Sequence, residues 1–196
     1  MNKFIIASFL VLNAYSFMPK SFSTSYVQKY KSKLSRKMKE SKGSFDYKYP
    51  GKIKFSQTLP TKLVVTSNKS KTWIYTPPFD KGDKGQVTIG SGGDSLSKFF
   101  DLLTNGLKSN EGFEVKTKDS ISTLTLNKEL SKELGIKTVE FNFNKKTNFK
   151  SLKNIKINYN DKRIINLELT NINENVNFPK GHFIFKTPKG AKTTYQ

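Results

Sequence analysis

An antiparallel β-sheet or barrel carrying one amphipathic helix is the fold class this sequence predicts, and three observations predict it. Apolar residues alternate with lysines and other polar residues in about ten short segments separated by close turns, the period of two expected of strands. One stretch, residues 95–107, breaks that period. There Leu96, Phe99, Phe100, Leu103 and Leu107 recur at i, i+3, i+4, i+7 and i+11, a single apolar stripe down a helix. No long helices alternate with the strands, which excludes a doubly wound parallel sheet. The 196 residues contain no internal repeat and no low-complexity linker, so one domain is expected.

The elements follow in order. Lys3 and the apolar run 4–17 read as a secretory signal, too short for the roughly 20 residues of a membrane-spanning helix. Ser21-Phe22-Ser23 offers a cleavage site, with Ala14-Tyr15-Ser16 as the alternative, so residues 1–23 are expected to be a signal peptide and 24–196 a single domain. Residues 24–41 carry two periods at once. Tyr26, Gln28, Tyr30, Ser32 and Leu34 alternate as in a strand, the favoured reading, while Tyr26, Tyr30, Leu34 and Met38 also sit four apart as on a helix.

From Gly43 the alternation is firmer: Phe45, Tyr47 and Tyr49 share one face, and after Pro50-Gly51 the residues Ile53 and Phe55 continue it until Leu59-Pro60. Segments 63–66 and 72–75 flank a turn at Ser67-Asn68-Lys69-Ser70, in which Asn68 is suited to positive φ. Pro77-Pro78 and a Gly-rich stretch, 82–93, enclose one short strand at 86–89. The helix then begins with Asp94 or Ser95 as cap and stops at Gly106. Further strands read at 112–116, 120–126, 138–143, 152–159, 163–169 and 182–185, with a short helix over 128–134 between Asn127 and Gly135.

Lysine plus arginine outnumber aspartate plus glutamate 35 to 15, giving a formal charge of +20. Only Arg36 and Arg163 are arginines. The scarcity of the planar fork that reads phosphate argues against a nucleic-acid partner, and a lysine-rich solvated surface accounts for the charge. There are no cysteines, which removes disulfides, thiolate metal sites, a cysteine nucleophile and lipid attachment through an N-terminal cysteine.

Residues for catalysis are equally scarce. His182 is the one histidine, and no serine lies in a Gly-x-Ser-x-Gly elbow. Glu129 and Glu133 share a helical face beside lysines, the pattern of surface ion pairs. Gly90-Ser91-Gly92-Gly93 lacks the lysine and hydroxyl spacing of a phosphate loop and reads as a flexible linker. The sequence therefore predicts no enzyme, no metal and no cofactor.

The proposed inward face is aromatic: Phe45, Tyr47, Tyr49, Phe55, Trp73, Tyr75, Phe141, Phe143, Phe183 and Phe185, with Ile53 and Val65 among them. An ordinary sheet core under a packed helix would give the same pattern. Two features favour a cavity instead. The helix is the only sizeable cover for a large sheet, and Gly-rich connections hold it. The expected lining is Phe45, Tyr47, Tyr49, Ile53, Phe55, Val65, Trp73, Tyr75, Phe141 and Phe143. The expected lid is Leu96, Phe99, Phe100, Leu103 and Leu107.

The run 43–78, GSFDYKYPGKIKFSQTLPTKLVVTSNKSKTWIYTPP, resembles the periplasmic outer-membrane lipoprotein carrier family, LolA. The likeness rests on the strand ending in Pro50, the aromatic strand after it, the Ser-Asn turn and Trp73-Ile74-Tyr75-Thr76-Pro77. It continues through Gly85-Gln86-Val87-Thr88-Ile89 and the closing Phe183-x-Phe185-x-x-Pro188-x-Gly190. The resemblance implies a mainly β, open or incomplete antiparallel β-barrel with a helical lid over a hydrophobic cavity for acyl chains. It also implies a periplasmic, monomeric carrier of acylated lipoproteins, loaded by an inner-membrane ATP-driven releasing complex and relieved by an outer-membrane acceptor.

Two departures from the family pattern stand out. Tyr49 occupies the position where the family commonly has an arginine that latches the lid, and little chain remains for the helix that precedes the family's first strand. A carrier of free lipids or glycolipids on the same fold, and a basic protein that binds anionic surfaces through a solid core, are the alternatives.

Overall fold

The computed structural model describes residues 17–31, 37–80, 82–93 and 95–196. Most of the expected signal segment, Leu34 and the expected cap Asp94 lie outside the described residues, and the Ser95 side chain is likewise not described.

Twelve strands form one sheet: β1 (Ser21–Lys31), β2 (Met38–Lys48), β3 (Lys52–Leu59), β4 (Leu63–Ser67), β5 (Lys71–Thr76), β6 (Gln86–Ser91), β7 (Phe113–Lys118), β8 (Ile121–Leu126), β9 (Ile136–Phe143), β10 (Leu152–Tyr159), β11 (Ile164–Glu174) and β12 (Lys192–Tyr195). Their order is β12-β6-β5-β4-β3-β2-β1-β11-β10-β9-β8-β7, so the sheet is curved but not closed, with β12 and β7 at its edges. The fold is the mainly β, open barrel expected. All pairings are antiparallel except that of β12, which runs parallel to β6. Two helices, α1 (Ser95–Leu103) and α2 (Lys128–Leu134), complete it.

Residues 21–31 are strand, which settles the two-period stretch in favour of alternation. β1 is the seam of the barrel, with β2 on one side and β11 on the other. The residues just ahead of it and at its start belong to the core. Phe17, Met18 and Phe22 are buried, with Phe17 edge-on to Phe141 at 5.5 Å and Phe22 4.6 Å from Phe149. A boundary after Ser23 would therefore cut through β1 and remove these three core side chains.

Register decides what faces inward. Thr24, Phe45, Phe55, Val65 and Ile74 are successive cross-strand partners and form one row of the inner face. Phe22, Tyr47, Ile53, Ser67 and Thr72 form the next row. The intervening row of Asp46, Lys54, Thr66 and Trp73 must point outward because strand side chains alternate. Tyr75, paired with Val64, points outward as well. Asn68 keeps a negative φ: its side-chain Oδ1 accepts from the Ser70 and Lys71 amides at 2.9 and 3.0 Å, an Asx turn in place of the expected positive φ.

The expected strand at 182–185 does not form. Gly181 has φ 87°, and the amides of His182 and Ile184 donate to Pro179 and Gly181, so the chain turns. Residues 176–191 instead cross the outer face as a strap: the Phe185 ring lies 5.2 Å from Tyr75, and the Asn68 amide donates to the Phe183 carbonyl at 3.2 Å. His182 Nε2 meets Asp46 Oδ2 at 2.8 Å.

Helix α1 ends at Leu103, a turn before Leu107, as the Thr104, Asn105 and Gly106 amides fold back on carbonyls three residues earlier and Gly106 takes φ 107°. Helix α2 matches its expected span, with Asn127 accepting from the Leu130 amide and Gly135 left-handed at its end.

Candidate ligand cavity

Helix α1 lies across the mouth of the inner face because its stripe has nowhere else to be buried. Phe99 and Leu103 are 1% and 0% exposed, and Phe100 inserts between Phe45, Tyr47 and Phe22 with ring centroids 5.3, 5.6 and 5.9 Å away. Phe99 stacks over Phe141 at 6.5 Å and 7°. Edge-on and offset ring pairs of this kind add roughly 0.5–1.5 kcal/mol each beyond the area they bury.

Two directional bonds complement this packing. The Tyr47 hydroxyl donates to Asp101 Oδ1 at 2.7 Å, and the Gly51 amide donates to the same oxygen at 2.9 Å. Burial, reinforced by the Asp101 carboxylate, pushes the Tyr47 phenol far above its ordinary pKa, so it stays a donor. Lys98 Nζ reaches Glu133 Oε1 of α2 at 2.6 Å, a solvent-exposed pair.

Beneath the N-terminal half of α1 the packing is incomplete. Phe22, Thr24, Tyr26, Phe45, Phe55, Leu96, Phe100, Phe149, Ile155, Leu167 and Leu169 surround about 430 Å3 of empty space that includes an opening to solvent. Its exposed wall is entirely apolar. The Thr24 hydroxyl, the one aliphatic alcohol there, is turned to the Thr170 carbonyl at 2.9 Å. A concave, apolar void of this kind suits hydrocarbon better than a polar ligand. Its enclosed part is smaller than one acyl chain needs, so occupation requires α1 to lift.

The expected lining residues divide into three groups. Phe45 and Phe55 line the void, with Leu96 and Phe100 of the expected lid. Tyr47, Ile53, Phe141 and Phe143 also face inward but are consumed in the solid core with Phe99 and Leu103; Val65 lies beside Phe55 on the inner face, outside the wall, and Leu107 packs against the core just past the helix. Trp73 and Tyr75 belong to the other side of the sheet, because the β4–β5 register places Ile74 inward, and they lie beneath the strap that carries Phe183 and Phe185. Tyr49 lies beyond the end of β2 and is 44% exposed. It contributes its backbone amide to the Lys20 carbonyl at 2.8 Å, not its side chain to the lid.

Phe22, Thr24, Tyr26, Phe149, Ile155, Leu167 and Leu169 were missed by sequence reasoning. Leu167 and Leu169 alternate at i, i+2, the available signal for them; Phe149 sits in a short 3-10 turn and carried none.

The connection to α1 is a fitted one. Gly92 and Gly93 donate to the Ser70 and Asn68 carbonyls at 3.1 and 3.2 Å, and a Cβ on Gly92 would lie 2.3 Å from the Asn68 oxygen. Gly92 serves close backbone approach and Gly93 a left-handed φ of 78°, so this end of the stretch is fitted to the β4–β5 turn and is not the flexible linker expected.

Fold and cavity together define a class: an open, curved β-barrel with a helical cover over an apolar void. The chain belongs to the outer membrane lipoprotein carrier protein LolA family, whose model matches residues 18–186. It is 26% identical over 162 residues to an outer-membrane lipoprotein carrier protein of Methylibium petroleiphilum, covering 82% of this chain and 75% of that one. Among solved structures it resembles a LolA superfamily protein from Nitrosomonas europaea, with a TM-score of 0.50, 10% identity, and 88% and 94% of the two chains covered. A protein of the DUF1329 family from Desulfovibrio piger matches with a TM-score of 0.44, 11% identity, and 84% and 90% coverage.

Proposed function

We propose that this chain is a periplasmic carrier that shields lipoprotein acyl chains in the cavity beneath α1 and ferries lipoproteins from the inner to the outer membrane. The observation that carries the proposal is the wholly apolar void under a cover held by ring packing and two hydrogen bonds to one carboxylate. Exposing an acyl chain of roughly 15 methylenes to water costs on the order of 12 kcal/mol, at about 0.8 kcal/mol for each. A lipoprotein therefore needs a shield in an aqueous compartment, and the shield must hold it less firmly than a membrane does.

In this reading the protein is a binding chaperone and not an enzyme. It receives cargo from an ATP-driven complex of the inner membrane and surrenders it to an outer-membrane acceptor. The chain enters the periplasm on a cleaved signal peptide, and a cut after Ser16, unlike one after Ser23, keeps Phe17, Met18 and Phe22 in the core.

The test is to purify the protein from its native compartment and extract it for lipid and protein mass spectrometry. Photo-crosslinkers at Phe45 and Phe55 are expected to trap acylated proteins. Trapping of free lipid alone would replace lipoproteins with lipids or glycolipids as cargo, and recovery of no acylated species would overturn the proposal.

A further inference from the structure

A second concavity lies on the opposite, outer side of the sheet. It is an open cleft of about 1220 Å3, counting the space open to solvent, between the β2–β3 turn, the β4–β5 turn and the strap. Lys48, Lys52, Lys69, Lys71 and Lys180 stand around it, and Trp73 and Phe183 form its floor.

Lysine is common throughout this chain, so lysines alone would carry little. Three features set the cleft apart. None of its fifteen lining residues is acidic, and none of its five lysines pairs with a carboxylate among the described residues. The nearby carboxylates are engaged elsewhere: Asp46 with His182 at 2.8 Å, and Asp101 with the Tyr47 hydroxyl and the Gly51 amide. The floor is aromatic, and exposed Ile184 sits at the rim, so carboxylate and apolar contacts are available within one groove. The walls are also fixed: Asn68 ties the strap to the β4–β5 turn through the Phe183 carbonyl while its Oδ1 shapes that turn.

We propose that this groove docks an extended acidic segment of a partner protein. The concavity selects the class of partner. A flat anionic membrane meets the rim lysines but cannot reach Trp73 or Phe183, whereas an extended chain can lie along the floor with its carboxylates among the ammonium groups. The position gives such docking a use, because the turn that carries Lys48 and Lys52 also carries Gly51, whose amide holds Asp101 of the lid. The proposal does not rest on the cavity holding acyl chains.

Trp73 is the only tryptophan, so intrinsic emission reports on this groove directly. An octaglutamate peptide titrated into the full-length mature protein is expected to shift that emission saturably, and more weakly as salt rises. Reversing two wall charges, Lys52→Glu with Lys69→Glu, is expected to weaken binding about tenfold or more. Reversing two exposed lysines elsewhere, Lys137→Glu with Lys153→Glu, is expected to change it no more than about twofold. The four positions are solvent-exposed or half-exposed, and far-UV circular dichroism verifies folding of both variants. Absence of a saturable shift, equal weakening in the two double variants, or binding to phosphatidylglycerol vesicles without binding to the peptide would each overturn the proposal.

Discussion

The hydroxyl of Tyr47 donates to Asp101 at 2.7 Å, joining the inner face of β2 to the helix that covers the cavity. Because the Gly51 amide shares the same carboxylate oxygen, the end of one hairpin holds the lid by both a side chain and the backbone. The latch lies two residues before the position where the family pattern places an arginine, and it differs in kind: the charge is on the lid and the neutral donor on the sheet.

Removing the donor should loosen the cover. A hydrogen bond to a charged group is worth roughly 1.5–3 kcal/mol, and Tyr47→Phe leaves Asp101 its Gly51 partner, so the lower end applies. About 1.4 kcal/mol corresponds to a tenfold shift in the opening equilibrium. Amide hydrogen exchange in α1 is expected to quicken about tenfold in Tyr47→Phe, and more in Asp101→Ala, with exchange in β9 and β10 unchanged. Tyr49→Phe should leave the rate unaltered.

The stability this bond lends should decline at high pH, because the unfolded phenol ionises while the folded one is still a donor. The folded-state pKa of Tyr47 is raised above the ordinary 10.0, so folding favours the protonated phenol. Its contribution to stability is therefore complete below about pH 10 and is lost as the pH rises beyond it. Lysines also lose charge in that range, so the informative quantity is a difference. Urea midpoints of the wild type and Tyr47→Phe are expected to differ by a constant amount from pH 7 to 9 and to converge above pH 10. Parallel curves at every pH would separate the phenol's ionisation from the latch.

Much of the architecture was legible in the sequence because period two and period 3.6 are local signals. Both helices were placed to within a turn, and most strands to within a few residues. What local signals could not give was the side of the sheet on which an aromatic lies. Trp73 and Phe55 look alike in their own strands; only the pairing of Val65 with Ile74, set by the turn at Asn68, sends Trp73 outward. Phe149 was illegible because a 3-10 turn has no long period, and apolar composition alone does not tell that Phe17 and Phe22 pack into the core.

The two faces give a direct comparison. Phe55 lines the cavity, whereas Trp73 floors the outer groove. Displacement of an environment-sensitive fatty-acid dye is expected to weaken at least tenfold in Phe55→Asp, which places a charge in an apolar void. In Trp73→Phe it should stay within about twofold. Equal losses would mean that the outer face also shapes the cavity.

Tyr26 carries a cost that substitution can relieve. Its ring stacks on Phe55 at 4.8 Å, over Gly43, where an added Cβ would lie 2.8 Å from the hydroxyl. That hydroxyl is buried and makes no hydrogen bond of normal geometry. Burial raises its pKa, and the neighbouring Ser41 hydroxyl offsets part of the rise; Ser41 itself is engaged with Gln57 at 2.8 Å. Leaving a buried polar group unsatisfied costs about 1–3 kcal/mol. Tyr26→Phe is expected to be neutral or stabilising by up to about 1 kcal/mol in urea denaturation, and a loss above that would show that Ser41 is a true partner.

Burial bears on where the mature chain starts. Phe17 touches Phe141, Phe143 and Phe149, Met18 is fully buried with its amide on the Leu103 carbonyl, and Phe22 packs against Phe45 and Tyr47. Loss of a buried Phe costs roughly 3–5 kcal/mol, and total domain stability is about 5–15 kcal/mol. A chain beginning at Thr24 forfeits two buried phenylalanines, a methionine and the first pairs of β1 with β2 and β11, which approaches the whole of that stability. It also removes the Lys20 carbonyl that receives the Tyr49 amide at the latch hairpin. Intact mass and N-terminal sequencing of the exported protein are expected to give Phe17 as the first residue. A version expressed from Thr24 should lack a cooperative thermal transition. A cooperative transition in that shorter chain would place the boundary after Ser23 and make residues 17–23 dispensable.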